Sequence, residues 1–268
     1  MLSHGLSDSH LTTLCRTAPL VFVCLDYDGT LVPIAARPEE ARPGPALLAL
    51  LTRLTQTPHL RVAVVSGRPL AQLQTLLPVP GLTYIGTHGL EVRTPSGEHS
   101  LLLPPGAFTT IISQLRRKLA TRIDGLPGFL LEDKRYALAL HYRLAPPSAA
   151  EGVVADFLSQ VRTYQRRGIA LNIIHGKKVV EVRPLGVNKG KAVQALLTNW
   201  PRTSLCLYVG DDTTDEDAFQ ALLGHGYGIL VARTHQPTSA QYYLRDPEEV
   251  TQFLSHLIEW RQESNAHG

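Results

Sequence analysis

The sequence predicts an α/β protein in which a parallel sheet flanked by helices is interrupted by an inserted α+β unit. Residues 20–25 form a continuous apolar run, typical of a strand buried on both faces of a parallel sheet. Strand and helix patterns alternate up to residue 103 and again from residue 186, as in βαβ units. In between, the order changes to helix, strand pair, helix, strand pair. We therefore expect a discontinuous core of residues 1–103 and 186–268, and an inserted unit of residues 104–185.

The first half of the core alternates strand patterns with helical leucine spacing. Residues 1–18 are polar and weakly helical, so we expect a partly ordered lead-in before the first strand. The elements expected after that strand are a helix over 47–54, a strand at 61–65, a helix from Pro69, a strand at 82–86 and a hairpin around the turn 94–97.

Strands of the inserted unit are expected to have one apolar and one polar face, because side chains alternate along a strand. In residues 136–143, the large apolar side chains are Tyr136, Leu138, Leu140 and Tyr142, and the alternate ones are Ala137, Ala139, His141 and Arg143. In residues 179–183, Glu181 and Arg183 lie opposite Val180 and Val182. We expect the apolar face to pack on two helices and the small polar face to be exposed, as solvent surface or as the ceiling of a site.

From residue 188 the chain returns to the alternating pattern of the core. The expected elements are a helix carrying Val193, Leu196 and Leu197, strands at 205–209 and 226–231, and a last helix after Pro247.

Composition describes an ordinary globular chain of 268 residues, with 44% apolar and 18% charged residues. A net charge of +3, with acids and bases interspersed, gives no support for nucleic-acid binding. No apolar run approaches membrane-spanning length. The three cysteines lack metal-ligand spacing, and Cys24 and Cys206 lie in apolar runs typical of buried thiols. We therefore expect a cytoplasmic protein that binds neither nucleic acid nor membranes.

Carboxylates follow the predicted core strands at the ends where open α/β sheets bind ligands. Asp26 and Asp28 follow the first strand, and Asp211 follows the strand at 205–209. Carboxylates held this close need a cation or a shared proton to relieve their repulsion. Their oxygens suit Mg²⁺, and no His or Cys pair has the spacing of zinc ligands. The alternative is that these aspartates hydrogen-bond the backbone of turns and helix starts.

A hydroxyl and an ammonium complete the expected site. Ser66 follows the second core strand, and Lys189 opens the helix after the inserted unit. Both suit the non-bridging oxygens of a phosphoryl group, which indicates phosphoryl transfer with an aspartate able to act as nucleophile. The alternatives are a helix N-cap for Ser66, coverage of apolar surface for Arg68 and a hydrogen-bonded loop residue for His88.

The order Asp26-Tyr27-Asp28-Gly29-Thr30, Ser66, Lys189, Gly210-Asp211-Asp212 resembles the haloacid dehalogenase superfamily of phosphotransferases. This resemblance implies a Rossmann-like core with an inserted cap domain. Over residues 20–260, further segments resemble the trehalose-6-phosphate phosphatase family: Ser66-Gly67-Arg68, Gly86-Thr87-His88-Gly89-Leu90-Glu91, Leu131-Glu132-Asp133-Lys134, His141-Tyr142-Arg143 and Glu181-Val182-Arg183-Pro184.

The resemblance implies hydrolysis of trehalose 6-phosphate, the last step of trehalose biosynthesis, through an aspartyl-phosphate on Asp26. In this scheme Asp28 protonates the leaving oxygen and then deprotonates water, and Thr30 holds Asp28 in place. Ser66 and Lys189 bind the phosphoryl group.

The resemblance also implies a metal site and a substrate site. Mg²⁺ is bound by Asp26, the backbone carbonyl of Asp28 and Asp211. Of Asp212 and Asp215, one reaches the metal through water and the other orients Lys189, in an order that the sequence leaves open. The residues implied in substrate binding are Arg68, His88 and Gly89 of the core and Glu132, Lys134, Arg143 and Glu181 of the cap. Strand parity supports Arg143 and Glu181 independently, whereas His141 is expected to be structural or supporting.

The sequence leaves two other functions open. One is a related capped phosphatase for another sugar phosphate, such as sucrose phosphate. The other is a non-catalytic sugar-phosphate-binding subunit, which the presence of Asp26, Asp28 and Lys189 disfavours. The oligomeric state is not determined by the sequence: a monomer and an association with the synthase of the same pathway are both open.

Overall fold

A computed structural model describes residues 2–35, 37–102, 108–198, 200–234 and 236–266. The chain divides into two compact units, Met1–Leu102 with Asn188–Gly268 and Leu103–Val187, which we call the core and the cap. The first border expected from the sequence, between residues 103 and 104, lies outside the described residues.

The first part of the core alternates strands and helices. Its elements are β1 (Ser3–His4), α1 (Ser9–Thr17), β2 (Val21–Leu25), α2 (Pro45–Gln56), β3 (Leu60–Val65), α3 (Leu70–Leu76), β4 (Thr83–Gly86), β5 (Glu91–Arg93) and β6 (His99–Leu101). The expectation of a partly ordered lead-in is wrong, because Leu11 and Cys15 of α1 are fully buried and Asp8 caps this helix.

The cap contains two helices and an antiparallel sheet within the described residues. Its elements are α4 (Phe108–Ile123), β7 (Leu130–Asp133), β8 (Leu138–His141), α5 (Pro147–Arg166), β9 (Leu171–Gly176) and β10 (Val179–Pro184), with the strand order β7-β8-β10-β9. The predicted apolar face is confirmed for Leu138, Leu140, Val180 and Val182, which pack with residues of α4 and α5. The predicted exposure of the opposite face is wrong for Ala137, Ala139, Glu181 and Arg183, which are buried.

The chain then completes the core with α6 (Lys189–Leu197), β11 (Leu205–Gly210), α7 (Glu216–Ala221), β12 (Gly226–Val231), β13 (Tyr242–Leu244) and α8 (Pro247–Ala266). Within the described residues, the larger sheet has the strand order β1-β13-β12-β11-β2-β3-β4-β5-β6. Its strands are parallel from β1 to β4, and β5 and β6 are antiparallel additions. The α/β fold with a helix-flanked parallel sheet and an inserted α+β unit is therefore confirmed.

The central strand β2 is buried on both faces of the sheet, which explains its continuous apolar sequence. Val21, Val23 and Leu25 pack in one hydrophobic cluster, and Phe22 and Cys24 pack in another on the opposite face of the sheet. Leu25 is in register with Val209 of β11 and Val64 of β3. The residues that directly follow these strands therefore emerge at one edge of the sheet.

Candidate active site

A buried ammonium and three carboxylates lie together at this edge of the sheet. Lys189 Nζ donates hydrogen bonds of 2.7 Å to Asp26 Oδ1 and 2.7 Å to Asp215 Oδ1. One carboxylate oxygen each from Asp26, Asp211 and Asp215 lies within 4.8 Å of the others. The side chains of Lys189 and Asp26 are only 3% and 5% exposed. The predicted meeting of Asp26, Lys189 and Asp211 is thus observed, with Asp26 and Lys189 buried and Asp211 half-buried.

Burial and repulsion between carboxylates raise the pKa values of Asp26 and Asp211. Burial raises the pKa of Asp26 well above its usual range, and the Lys189 ammonium acts in the opposite direction. Burial and the charge of Asp215 raise the pKa of Asp211 to about 7. Burial alone would lower the pKa of Lys189, but the charges of Asp215 and Asp26 outweigh burial and raise it. The cluster therefore favours a further cation beside Asp26 and Asp211.

Asp215 accepts hydrogen bonds from Lys189 and from three further donors. Besides the ammonium, its Oδ1 accepts a 2.6 Å hydrogen bond from Tyr208 Oη, and its Oδ2 accepts from the backbone N–H groups of Asp211 and Asp212 at 3.1 and 2.9 Å. Since an ionised carboxylate has about four acceptor positions, these hydrogen bonds use all the acceptor positions of Asp215. Asp212 is exposed, and its side chain accepts from the backbone N–H of Thr213, as the capping alternative predicts.

Sequence reasoning missed Tyr208, which holds Asp215. Its side chain is fully buried inside β11. A phenol in an otherwise apolar strand needs a hydrogen-bond partner, and this signal could have pointed to an acidic neighbour.

Asp28 is held by Arg68 and not by Thr30. Arg68 Nε donates to Asp28 Oδ2 at 2.8 Å, and Arg68 Nη2 donates to Asp28 Oδ1 at 2.6 Å. The Thr30 hydroxyl instead donates to Asp211 Oδ1 at 3.3 Å, so the expected Thr30–Asp28 contact is wrong. Gly29 has φ +88°, and a Cβ there would lie 2.1 Å from Asp211 Oδ2. Only glycine therefore lets this loop pass over Asp211.

Ser66 directly follows β3, and its turn is hydrogen-bonded to the loop after β4 that contains His88. The Ser66 hydroxyl accepts a 3.1 Å hydrogen bond from the backbone N–H of Arg68, and the Ser66 carbonyl accepts one of 2.9 Å from the His88 N–H. His88 has the unusual φ of 55°. A Cβ on Gly89 would lie 2.7 Å from the Asn188 carbonyl oxygen, so glycine allows this loop to pack against the start of α6. The structure thus joins the Ser66 and His88 loops in the core.

In the cap, Glu132, Lys134, His141 and Glu181 form a separate charged cluster on the polar face of the sheet. Glu132 and Glu181 flank the small Ala139 in register. Lys134 Nζ donates to Glu181 Oε2 at 2.7 Å and lies 3.9 Å from Glu132 Oε2. His141 Nε2 lies 2.9 Å from the same Glu132 oxygen.

Electrostatics keep Glu132 charged. Burial alone would raise its pKa, but the hydrogen bond with His141 and the charge of Lys134 outweigh burial and lower it. Arg143 lies beyond β8; it is exposed, and Nη2 donates to the Lys177 carbonyl oxygen at 3.3 Å. Three of the predicted cap residues, Glu132, Lys134 and Glu181, therefore lie together. Arg143 instead contacts the turn between β9 and β10.

Comparison with known proteins identifies the family. The model of the trehalose-phosphatase family matches residues 24–248. A probable trehalose-phosphate phosphatase of Oryza sativa subsp. japonica is 32% identical over 255 residues, which are 92% of this chain and 68% of that protein. The predicted enzyme class, a phosphatase of this family, is confirmed.

Solved structures share the fold. The C-terminal domain of a Candida albicans trehalose-6-phosphate phosphatase superposes with a TM-score of 0.82 at 24% identity, covering 96% of this chain and 98% of that one. A haloacid dehalogenase-like hydrolase from Bacteroides thetaiotaomicron has a TM-score of 0.62 at 16% identity, covering 89% and 99%. The chain belongs to the trehalose-phosphatase family and has the haloacid dehalogenase-like fold.

Proposed function

We propose that this chain hydrolyses trehalose 6-phosphate to trehalose and phosphate, with Mg²⁺ as cofactor and Asp26 as nucleophile. The observation that supports it most is the contact of the Lys189 ammonium with Asp26 at 2.7 Å, in a pocket of carboxylates at the strand ends. A basic group beside a carboxylate at this edge suits an incoming phosphoryl group.

The donor set fits a magnesium ion. Asp26 and Asp211 supply hard oxygen atoms close together, and both have raised pKa values that a divalent cation would lower. The backbone carbonyl of Asp28 would complete the protein ligands. When bound, Mg²⁺ supplies charge neutralisation for the phosphoryl oxygens. The four contacts of Asp215 favour an anchoring role, and the capping contact of Asp212 favours a structural one.

The chemistry then divides between Asp26 and Asp28. An Asp26 oxygen attacks phosphorus while the bond from phosphorus to the sugar oxygen breaks, and Asp28 gives its proton to that leaving oxygen. Asp28 next takes a proton from a water molecule, whose oxygen attacks phosphorus and releases the Asp26 carboxylate and phosphate. Lys189 favours the charged form of Asp26 before the attack and after its release, while Lys189 and Ser66 bind phosphoryl oxygens.

We propose that Glu132, Lys134 and Glu181 bind the sugar hydroxyls. A disaccharide has many hydroxyl groups and no charge, so charged donors and acceptors hydrogen-bond it strongly. The buried Lys134–Glu181 pair with its 2.7 Å contact supplies both kinds of group. Arg143, His88 and Gly89 stay predicted substrate residues.

The cellular setting stays a prediction. Among the residues that the structure describes, no helix has the length and apolar character of a membrane span. The cytoplasmic location and the association with the synthase of the pathway, like a monomeric state, stay predictions from the sequence.

The decisive experiment measures phosphate release from trehalose 6-phosphate, glucose 6-phosphate and sucrose 6-phosphate, each with Mg²⁺ and with EDTA. We expect release from the trehalose ester alone, only with Mg²⁺, and no release by Asp26→Asn with an unchanged circular dichroism spectrum. Release from all three esters would overturn the proposed specificity. Selective release from the sucrose ester would identify the sucrose-phosphate alternative, and no release by folded protein would favour the non-catalytic one.

A further inference from the structure

Arg68 makes a bidentate hydrogen-bonded contact with the carboxylate of Asp28. Its Nε and Nη2 atoms donate to the two oxygens of Asp28 at 2.8 and 2.6 Å. The Arg68 side chain is 5% exposed, whereas that of Asp28 is 40% exposed. Paired donors from a planar guanidinium fix the plane of a carboxylate as well as its position, which a lysine ammonium does not do.

The guanidinium is itself held from other sides. Arg68 Nη2 also donates to the Pro38 carbonyl oxygen at 2.7 Å, and the guanidinium carbon lies 5.0 Å from the centre of the Tyr27 ring. Tyr27 Oη donates in turn to the Ala41 carbonyl oxygen at 2.9 Å. The main chain of Arg68 is tied to the Ser66 hydroxyl at 3.1 Å. The loop after β2 and the turn after β3 are therefore joined through this one side chain.

We propose that Arg68 is a positioning residue that holds Asp28 for its acid and base steps, in place of the substrate-binding role implied by the family resemblance. This inference rests on the proposed function, in which Asp28 moves the protons. The two oxygens of Asp28 offer about four hydrogen-bonding positions, so the two bonds from Arg68 leave room for the proton that Asp28 gives to the leaving oxygen and later takes from water.

Folding alone does not account for this arrangement. The Asp28 carboxylate is 40% exposed and is solvated by water, so its ion pair with the buried Arg68 stabilises the fold less than a fully buried pair would. The value of the contact lies in the fixed orientation of a reacting group, since small misplacements of such groups lower rates strongly.

The test compares Arg68→Gln, Arg68→Lys, Asp28→Asn and the double variant Arg68→Gln/Asp28→Asn, with trehalose 6-phosphate and p-nitrophenyl phosphate as substrates. Arg42→Gln is the matched control, because Arg42 is an exposed arginine of the loop after β2 that donates to the Glu39 carbonyl oxygen. Thermal unfolding shows that each variant is folded. Inhibition by inorganic phosphate reports binding of the phosphoryl group independently of turnover.

We expect Arg68→Gln to lower kcat on trehalose 6-phosphate by about 10- to 100-fold, with little change in KM or in phosphate inhibition. Arg68→Lys should lose activity too, because it keeps the charge and loses the paired donors. The loss should be smaller on p-nitrophenyl phosphate, whose leaving group needs no proton in the first step, and Asp28→Asn should show the same substrate dependence. The double variant should be no slower than Asp28→Asn, since Arg68 acts through Asp28.

Different outcomes overturn different claims. Additive losses in the double variant, or raised KM and weaker phosphate inhibition with kcat retained, would overturn the positioning role alone and favour a substrate contact. Equal losses on both substrates together with a lowered melting temperature would reduce Arg68 to a structural residue. An inactive wild-type enzyme would overturn the proposed function and the positioning role with it. A fully active Asp28→Asn variant would overturn the acid–base role of Asp28 and the positioning role, and would leave the proposed hydrolysis standing.

Discussion

At the scale of single residues, Lys189 combines a proposed role in binding the phosphoryl group with a role in the stability of the core. Its ammonium lies between Asp26 and Asp215 and is almost wholly buried. Taking such charges out of water is costly, and the close opposite charges offset this cost. Without the ammonium, Asp26, Asp211 and Asp215 would face each other with no compensating charge from this side chain.

Lys189→Met is therefore expected to destabilise the metal-free protein by about 3 kcal/mol at pH 7, because it leaves buried carboxylates unpaired. Urea unfolding in the presence of EDTA measures this change. Lys191→Met is the control, since Lys191 is an exposed lysine of the same helix. Equal stability of the Lys189 and Lys191 variants would show that the carboxylates are relieved in another way, for example by protonation.

At the scale of elements, the polar face of the cap sheet gathers charges from separate strands. Glu132 lies on β7, His141 on β8 and Glu181 on β10, with Lys134 directly after β7. The antiparallel register brings them together. A face with this composition is suited to a hydroxyl-rich ligand, as proposed above.

Glu181→Gln is expected to raise KM for trehalose 6-phosphate by about tenfold, because a charged acceptor of hydrogen bonds is replaced by a neutral one. KM for p-nitrophenyl phosphate, which has no sugar, should change little. Steady-state kinetics on both substrates measures the difference, with Glu151→Gln on the exposed side of α5 as control. Equal effects on the two substrates would remove the cap cluster from sugar recognition.

A second element-scale feature joins β1, β13 and α8 through Glu249. Glu249 Oε2 accepts a 2.7 Å hydrogen bond from the Arg245 backbone N–H and lies 2.9 Å from His4 Nε2. Burial alone would raise the pKa of Glu249, but its hydrogen bonds with Arg245 and His4 outweigh burial and lower the pKa from 4.5 to about 2. The folded protein therefore holds the charged form more strongly than the unfolded chain does.

The stabilisation from Glu249 should be fully present above pH 4.5 and be lost as the pH falls towards 2, because the folded pKa lies below the unfolded one. We expect Glu249→Gln to be less stable than the wild type at pH 7, by a margin that shrinks over that range. Chemical unfolding from pH 7 to 2 measures it, and Glu248→Gln, at an exposed neighbour, is the control. A margin independent of pH would contradict the assignment.

At the scale of the whole molecule, the core and the cap have their own hydrophobic interiors. Phe157 belongs to the cap cluster formed by α4, α5 and the antiparallel sheet, and Phe253 of α8 belongs to a cluster of the core. Both side chains are fully buried. Local opening of a protein follows such packed units.

Phe157→Ala is expected to cost about 3 to 5 kcal/mol and to act on the cap, because it leaves a cavity in that cluster. Hydrogen–deuterium exchange should accelerate in peptides covering β8 and β10, while those covering β2 and β11 are protected as before. Phe253→Ala should accelerate exchange in the core. Uniform acceleration along the chain by Phe157→Ala would show that both units open as one.

The sequence was informative wherever a signal is local. The buried run before Asp26, the leucine spacing of α2 and the parity of β8 and β10 each follow from a short stretch, and each is observed. By contrast, β1 and β13 were not predicted, because strands of two and three residues are too short to show periodicity. The weakly helical lead-in is ordered because Leu11 and Cys15 pack into a cluster that includes residues of α8.

By itself, the sequence determined the fold class, the order of most elements and the strand ends that bring Asp26 and Asp211 beside Lys189. Only the tertiary structure decided which of these polar groups hold one another. Thr30 donates to Asp211, 181 residues away, and Lys189 pairs with Asp26 across 163 residues. Arg68 donates to Asp28, and Lys189 donates to Asp215. A hydrogen bond acts over about 3 Å between atoms, so the partner of each group depends on how the strands bring distant loops together.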